Sequence, residues 1–329
     1  MDLYRYTDKK PDYILKELKQ NGSPAKNYSL TYDSPYSTKI KLNDKVYVRL
    51  FSKEKIDAKN TTSRNILILI HGFSSKKEST DNYYGFSNKI IGDNLSCAFI
   101  NLPFHLNRTP EGEKSGQRLI YYDDVDTLKF FHQGVVDVKK LVDIVLEILP
   151  VKNIYICGIS LGSMFSLITM ANDNRISKGI FLLSGGNWEE IHWNGILKFI
   201  LKGDCTHKGK NIREVCRKSY NNFPKFLSEF KKIKDKNIEM DLKHHPDIKK
   251  AAAKMCFLCD PLAFAHRIDP EKVLMINSKF DFFYTRKSTE QLWDELGRPK
   301  IYWLNTMHSS KILTDENIIA KIKQFLLDT

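Results

Sequence analysis

The stretch that decides the fold is residues 153–163, Asn153-Ile154-Tyr155-Ile156-Cys157-Gly158-Ile159-Ser160-Leu161-Gly162-Ser163. A short apolar run ends there in Gly-x-Ser-x-Gly, and a helix-like run follows directly from Met164 to Met170. A serine held in a sharp turn between strand and helix has strained backbone, so its neighbours inside the bend must be small. Gly158 and Gly162 supply that space. The pattern predicts a nucleophile elbow at Ser160. The pentapeptide alone also fits a simple tight turn, so its partners decide the interpretation.

Apolar runs of strand length recur along the chain, and stretches with helical periodicity separate them. Such runs are typical of parallel strands that are buried on both faces. The predicted buried strands are 65–70, 97–102, 154–157, 179–183, 273–276 and 301–304. The predicted helices are 81–91, 134–149, 161–171, 285–296 and 313–327. This alternation predicts an α/β fold with a doubly wound, mostly parallel sheet.

The remaining segments are expected to decorate that sheet within one domain, residues 1–329. Residues 1–64 form the predicted N-terminal arm, helical and basic over residues 1–25, followed by an antiparallel strand pair at residues 28–32 and 38–51. Residues 187–265 lack a buried strand and carry helical patterns, such as residues 196–201, which predicts a helical cap insertion. Residues 266–329 form the C-terminal part.

Composition is that of an ordinary globular protein, with 42% hydrophobic and 12% aromatic residues. The N-terminus lacks the apolar region of a signal peptide, and no apolar run reaches the roughly 20 residues that span a bilayer, so a cytoplasmic location is expected. The pair Cys256 and Cys259 has C-x-x-C spacing, and Cys205, His207 and Cys216 lie in the same insertion. The apolar neighbours of the pair favour the packed face of a helix over zinc. No metal or cofactor is predicted.

The formal net charge is +13, and it is concentrated in part of the predicted cap. Residues 202–254 contain fifteen Lys or Arg against seven Asp or Glu. A lysine-rich composition on solvated faces explains this excess, and the alternative is a basic face that contacts anionic lipid headgroups weakly. No nucleic-acid partner is expected, and the sequence does not define the oligomeric state.

An activated serine needs a general base and a carboxylate that orients the base. In an open parallel sheet, useful side chains follow the carboxyl ends of the strands. The strand at residues 273–276 leads to Asp281, and the strand at residues 301–304 leads to His308. The chain order is therefore serine, acid, histidine. His105 and His266 are alternative bases, and Glu189 or Glu190 is an alternative acid, because these carboxylates follow an earlier strand.

The third requirement is an oxyanion hole, which needs two N–H donors near the serine. One would be the backbone N–H of Leu161, directly after Ser160. The other would be the N–H of Phe73, since His71-Gly72-Phe73 follows the predicted strand at residues 65–70. Each such donor lowers the barrier by about 3 kcal/mol.

From residue 65 to the C-terminus the chain resembles the α/β-hydrolase superfamily. The resemblance rests on His71-Gly72-Phe73, Gly158-Ile159-Ser160-Leu161-Gly162, Asp281 and His308, taken in this order. It implies an esterase-like serine hydrolase without a metal, which acts on a small-molecule acyl substrate through an acyl-enzyme. Alternative functions are a lipid-directed (lysophospholipase-like) hydrolase, a thioester hydrolase, and a non-catalytic binding protein on the same scaffold.

The loop after the predicted strand at residues 97–102 should border the same pocket. It contains His105 and Arg108. These side chains either contact the substrate or hold the loop through their own hydrogen bonds, and the sequence favours neither interpretation.

Overall fold

The computed structural model describes residues 2–7, 12–18, 25–56, 64–76, 79–202, 212–232, 240–241 and 254–328. The strands are β1 (Asp2–Leu3), β2 (Tyr13–Leu18), β3 (Lys26–Asp33), β4 (Lys45–Ser52), β5 (Arg64–Ile70), β6 (Leu95–Ile100), β7 (Val151–Ile159), β8 (Ile176–Leu182), β9 (Met240–Asp241), β10 (Val273–Phe280) and β11 (Lys300–Met307). The α-helices are α1 (Thr80–Ile90), α2 (Gln117–Tyr121), α3 (Asp124–Ile148), α4 (Leu161–Asn172), α5 (Trp188–Asn194), α6 (Leu197–Ile200), α7 (Ile212–Tyr220), α8 (Phe223–Lys231), α9 (Pro261–Ala265), α10 (Arg286–Glu295) and α11 (Glu316–Leu327).

Strands β2–β8, β10 and β11 form a mixed sheet in the order β11-β10-β8-β7-β5-β6-β4-β3-β2. The neighbours from β11 to β6 are parallel, whereas β6, β4, β3 and β2 pair antiparallel. This confirms the predicted α/β fold with a mostly parallel sheet and antiparallel N-terminal strands. Strand β5 pairs with β6 on one side and with β7 on the other, so its carboxyl end lies at the centre of the sheet.

Helices cover both faces of the sheet, as the continuously apolar strands predict. Side chains alternate between faces along a strand. In β5, Ile66, Ile68 and Ile70 belong to the core cluster that includes side chains of α3 and α4, whereas Leu67 and Leu69 belong to the cluster that includes side chains of α1 and α11. All five are fully buried, and this double burial accounts for the absence of polar residues from that run.

The N-terminal region differs from its prediction in two places. The helix expected within residues 1–25 is wrong at residues 13–18, because β2 pairs antiparallel with β3 and its side chains alternate, with Leu15 packed on the core and Ile14 51% exposed. Strand pairing of an edge segment outweighs its local helical preference. Residues 8–11 and 19–24 of the predicted arm lie outside the described residues.

The second difference concerns the strand predicted for residues 38–51 with a break at Asn43-Asp44. Residues 38–42, ahead of that break, form no strand, and residues 41–44 form a turn. The carboxylate of Asp44 accepts hydrogen bonds from the backbone N–H groups of Thr38 and Lys39 at 2.9–3.0 Å. A side chain that bonds nearby backbone N–H groups competes with strand pairing. The strand therefore starts only at Lys45.

The segment predicted as a cap, residues 187–265, contains helices α5 to α9 in its described parts. Cys256 and Cys259 lie in a short 3-10 helix, with Cys259 buried, whereas Cys205 and His207 lie outside the described residues. Throughout the described ranges, no helix combines the length and the apolar character needed to cross a membrane.

Candidate active site

The Ser160 turn has the geometry that the sequence predicts for an elbow. Ser160 links β7 to α4 with φ 56° and ψ −122°, which is unusual for a residue with a side chain. Its N–H donates to the carbonyl of Leu182 on the neighbouring strand, at 2.9 Å. A Cβ on Gly158 would lie 2.1 Å from the Gly162 carbonyl oxygen, and one on Gly162 would lie 2.3 Å from that of Ile70. Only glycine fits either position.

Asp281 and His308 meet because β10 and β11 are parallel neighbours. Phe280 lies opposite Met307 in that pair, so the next residue on each strand is Asp281 and His308. Nδ1 of His308 lies 2.7 Å from Oδ2 of Asp281, and Nε2 lies 2.8 Å from Oγ of Ser160. The structure thus brings these three predicted residues into one hydrogen-bonded chain.

The Asp281 carboxylate is fixed by its own loop. Its side chain is 2% exposed, and Oδ1 accepts the backbone N–H groups of Phe283 at 2.8 Å and Tyr284 at 2.9 Å. These bonds leave Oδ2 for Nδ1 of His308, whose ring centroid lies 4.6 Å from that of Phe283. A carboxylate at Nδ1 selects the tautomer in which Nε2 accepts the Ser160 hydroxyl proton.

The loop after β5 passes beside Ser160. Ile70 is paired with Gly158, and a Cβ on Gly72 would lie 3.3 Å from Cβ of Ser160. Phe73, Ser160 and Leu161 line one cavity. Within the described part of the chain, neither the Phe73 N–H nor the Leu161 N–H donates to a protein acceptor. Both donors are therefore available to a bound molecule.

His71 fixes this loop from inside the protein. Its Nε2 accepts the backbone N–H of Leu102 at 3.0 Å, which leaves Nδ1 to donate to the carbonyl of Gly72 at 2.8 Å. The Gly72 N–H in turn donates to the Tyr83 hydroxyl at 3.1 Å. Burial, and after it the nearby His105, lower the pKa of His71 to about 3, so the ring is neutral near neutral pH.

His105 supports the same loop one residue further on. Its Nε2 accepts the N–H of Ser74 at 3.3 Å, and Nδ1 lies 2.7 Å from the carbonyl oxygen of Pro103. The ring is fully buried, and burial lowers its pKa to about 4. His105 is therefore a neutral acceptor that holds backbone, and its ring contacts Phe73 edge-on at 6.1 Å between centroids.

Arg108 is also fully buried, away from the cavity. Its guanidinium donates to the Asp137 carboxylate at 2.8 Å and to the Asn43 carbonyl at 2.8 Å, while Oδ1 of Asn43 accepts the Phe104 N–H at 2.7 Å. These bonds tie the loop after β6 to helix α3. The sequence left substrate contact and loop support open for these two residues. Neither His105 nor Arg108 lines the cavity. Their geometry fits loop support.

Glu189 and Glu190, the alternative acids, lie elsewhere. Glu190 accepts hydrogen bonds from Thr285 and Asn194, each at 2.8 Å, and pairs with Lys287 at 3.2 Å. Burial raises the pKa of Glu190, but those donors outweigh it and hold the pKa below its usual value. The carboxylate beside His308 is that of Asp281, and Glu190 instead joins α5 to α10.

A cavity of about 130 Å³ lies next to Ser160. Its wall is mostly apolar and aromatic, and the cap segment contributes much of it. The lining residues are Phe73, Leu119, Tyr122, Asp123, Asp124, Thr127, Phe130, Phe131, Ser160, Leu161, Met164, Trp188, His192, Leu197, Leu201, Cys216, Tyr220, Cys256, Phe283 and Tyr284. An apolar cavity with few polar groups beside a reactive side chain is the usual form of a small-molecule site.

A sequence model of the family described as alpha/beta hydrolase domain containing 18 matches residues 46–328. The chain belongs to this family. The match confirms the resemblance to α/β-hydrolases, and together with the fold it supports an enzyme of the hydrolase type. A comparison with curated protein sequences finds no significant match.

Solved structures share the fold at low sequence identity. The chain is similar to an acetyl xylan esterase from Paenibacillus sp. R4 (12% identity, TM-score 0.61, covering 96% of this chain and 89% of that one). It is also similar to acetyl xylan esterase 1 from Thermoanaerobacterium sp. JW/SL YS485 (15% identity, TM-score 0.55, covering 97% of this chain and 88% of that one). A third similar structure is a cold-adapted esterase from an Arctic intertidal metagenomic library (13% identity, TM-score 0.53, covering 94% of this chain and 97% of that one). At these identities, the likeness concerns the fold alone.

Two features of the site escaped sequence reasoning. The first is the buried pair of Arg108 and Asp137, whose partners lie in separate elements and carry no local motif. The second is Tyr284, which lines the cavity only three residues after Asp281. Its position in the loop that carries the predicted acid was the available signal.

Proposed function

We propose that this member of the α/β-hydrolase family is a serine hydrolase, carboxylesterase-like, that cleaves a carboxylic ester or related acyl bond. The observation that carries the proposal is the hydrogen-bonded chain from Asp281 through His308 to Ser160. It ends on a serine in strained backbone, at the wall of an apolar cavity. In this proposal Ser160 is the nucleophile, His308 the base and Asp281 the orienting acid.

The reaction would proceed in two halves. Oγ of Ser160 attacks the acyl carbon as its proton passes to Nε2 of His308, and the carbonyl oxygen becomes negative. The N–H groups of Phe73 and Leu161 would stabilise that oxygen. His308 then returns the proton to the leaving alcohol, and the acyl group stays on Ser160. A water molecule, deprotonated by His308, releases the acid and restores the serine.

The cavity supports an apolar group in the substrate. Phe130, Phe131 and Met164 come from the helices on the sheet, whereas Trp188 and Leu197 come from the cap segment. Burying apolar surface contributes about 25 cal/mol per Å² to binding. A short acyl chain of a few carbons would use this wall without a polar partner at its far end.

The test is loss of the nucleophile. Purified wild-type protein should hydrolyse a short p-nitrophenyl ester and react with a fluorophosphonate probe, and Ser160→Ala should do neither. Ser219→Ala is the matched control, because its hydroxyl bonds the Val215 carbonyl on the exposed side of α7 and lies outside the cavity wall. A wild type that neither labels nor turns over an acyl substrate would remove the proposal.

A lipid-directed, lysophospholipase-like hydrolase is the second candidate, and exposed apolar side chains favour it. Phe199 is 75% exposed, Phe282 59% and Ile196 38%. The Ile196 N–H donates to the Phe282 carbonyl at 2.7 Å, so α6 and the loop after β10 are joined beside the cavity. Lys198 and Lys202 flank these apolar residues. An apolar and basic rim suits an anionic lipid surface.

Vesicle binding separates this candidate from a general esterase. The wild type should sediment with anionic phospholipid vesicles at low salt, and the bound fraction should fall as the salt concentration rises. Phe199→Ser, at the most exposed position, should weaken retention while p-nitrophenyl ester hydrolysis continues. Equal retention on neutral vesicles would mean that the basic rim plays no part, and no retention on either kind of vesicle would count against a lipid role.

A thioester hydrolase would use the same residues with a thiol as leaving group. Comparing kcat/KM for an ester and a thioester with the same acyl chain distinguishes the two. A non-catalytic binding protein on this scaffold is the remaining alternative, and the hydrogen bonds between Asp281, His308 and Ser160 count against it.

A further inference from the structure

Tyr284 occupies a fixed position beside Ser160. Its backbone N–H donates to Oδ1 of Asp281 at 2.9 Å, so its place in the loop is tied to the carboxylate. Its ring packs closely on the backbone of Gly185, where an added Cβ would lie 2.7 Å from the ring Cδ1. The ring also lies 5.9 Å from that of His308, between centroids. The side chain therefore has little freedom to turn away.

Within the described residues, the Tyr284 hydroxyl bonds a weak acceptor and lies beside the Ser160 hydroxyl. The side chain is 5% exposed and lines the cavity, and its hydroxyl donates to Sδ of Met164 at 3.2 Å. A thioether is a weak acceptor. A carbonyl or charged oxygen is a better acceptor for a buried hydroxyl than a thioether is. A substrate oxygen in the cavity would supply that better acceptor.

The position of Met164 shows where this hydroxyl lies. Met164 follows Leu161 by three residues on α4, so both lie on the same face of that helix. Side chains on a helix lean toward its N-terminus, which brings Sδ of Met164 toward the first turn. The Tyr284 hydroxyl is therefore near the start of α4, and the Ser160 hydroxyl is its polar neighbour there.

Tyr284 stays neutral over the whole working pH range. Burial raises the pKa of its hydroxyl far above the usual value, and the nearby Asp281 raises it further. The Ser160 hydroxyl, the other polar group next to it, acts in the opposite direction. A neutral phenol donates a hydrogen bond without giving up its proton, which suits an oxygen that gains negative charge.

We propose that the Tyr284 hydroxyl is a third donor to the oxyanion, beside the N–H groups of Phe73 and Leu161. The inference rests on the proposed function and extends it, because it assigns a catalytic contact to a side chain. In the resting enzyme the hydroxyl rests on the Met164 thioether. When Ser160 attacks, the ring of Tyr284 would stay in place and its O–H bond would rotate toward the carbonyl oxygen as charge develops there.

The experiment compares Tyr284→Phe with wild type on a short p-nitrophenyl ester. The expected result is a kcat about 10- to 100-fold lower with KM changed less than about threefold, because a donor used mainly in the transition state affects kcat. The affinity for a trifluoromethyl ketone, whose serine adduct carries the oxyanion, should fall by a similar factor. Tyr155→Phe is the matched control, because this buried hydroxyl bonds the Leu326 carbonyl, away from the cavity.

Three outcomes would overturn the inference. They are an unchanged kcat, a rise in KM alone, and a kcat loss without any change in ketone affinity. If Tyr284→Phe folds poorly, Tyr284→3-fluorotyrosine keeps the shape with a stronger donor. Its kcat should exceed that of the wild type, and a kcat at or below the wild-type value would overturn the inference. A wild type that hydrolyses nothing and escapes the fluorophosphonate removes the proposed function as well. If the wild type hydrolyses the ester and Tyr284→Phe has the same kcat, only this inference is overturned.

Discussion

One histidine on one side of Ser160 and two on the other side have hydrogen bonds at both ring nitrogens. The surroundings of these rings differ. On the β10/β11 side, residues 281–284 and 308, His308 joins a carboxylate to a hydroxyl and is 13% exposed. On the β5/β6 side, residues 71–75 and 101–108, His71 and His105 bond backbone groups and are fully buried. Histidine and hydrogen bonds alone therefore do not identify a base.

The difference lies in what each ring can do with a proton. Burial lowers the pKa of His71 to about 3 and that of His105 to about 4, so neither ring gains a proton near neutral pH. Both hold the backbone that carries the Phe73 N–H. His308 instead has a carboxylate that stabilises its charged form and a hydroxyl that can supply the proton. We infer that one side transfers protons and the other keeps a donor in place.

The largest effect is expected on the β10/β11 side. Asp281→Asn should lower kcat by about 10⁴-fold, because an amide at this position favours the wrong tautomer of His308 and no longer stabilises its charged form. Ester hydrolysis under saturating substrate measures the change. Asp294→Asn, on the exposed surface of α10, is the control. A variant that keeps more than a tenth of wild-type kcat would mean that Asp281 does not orient the base.

The β5/β6 side should respond in stability before it responds in chemistry. Arg108→Met leaves Asp137 buried without its ion partner, which costs about 3–5 kcal/mol of unfolding free energy. Urea unfolding measures the loss. The double variant Arg108→Met with Asp137→Leu should recover part of it, since no unpaired charge remains. A single variant as stable as the wild type would show that the pair does not hold the loop.

Sequence reasoning predicted the residues that meet on the β10/β11 side, and the reason is local. Asp281 and His308 each follow a recognisable apolar strand, and the parallel pairing of those strands brings the next residues together. Ser160 and Gly72 were found in the same way, from the ends of β7 and β5. A rule about strand ends was sufficient.

The β5/β6 side was only half found, because its contacts join segments that are distant in sequence. Arg108 bonds Asp137 on α3 and Asn43 in a turn after β3, and no sequence spacing predicts either contact. The edge strand at residues 13–18 was missed for a similar reason, since its lysine and glutamate suit a helix equally well and pairing with β3 decides. Tertiary partners, not local preference, fixed both.

His105 gives a direct test of loop support. His105→Leu removes the acceptor of the Ser74 N–H, so the Phe73 N–H should shift and kcat should fall about 10- to 100-fold, less than for complete loss of a donor. His105→Gln keeps one acceptor and one donor, and it should recover most of the kcat. Equal losses in both variants, or a change in KM alone, would indicate substrate contact instead.

The smallest effect is a pH dependence that separates His105 from His308. His105 has a pKa of about 4 in the folded chain, whereas an unfolded histidine has a pKa of about 6.5, so the unfolded state binds more protons between these values. Its contribution to stability is present above about pH 6.5, and it is lost as pH falls toward 4, by up to about 1.4 kcal/mol per pH unit. Below pH 4 both states are protonated and the loss is complete.

His105→Gln cannot take up that proton. Urea unfolding of wild type and His105→Gln from pH 7.5 to 4 should therefore give curves that diverge below pH 6.5, with the wild type losing stability faster. Arg108, which faces the His105 ring, stays charged in both proteins, and burial, the larger cause of the low pKa of His71, acts on that ring in both. Parallel curves would mean that His105 is not held as a buried neutral acceptor, and the contrast with His308 would then lose its physical basis.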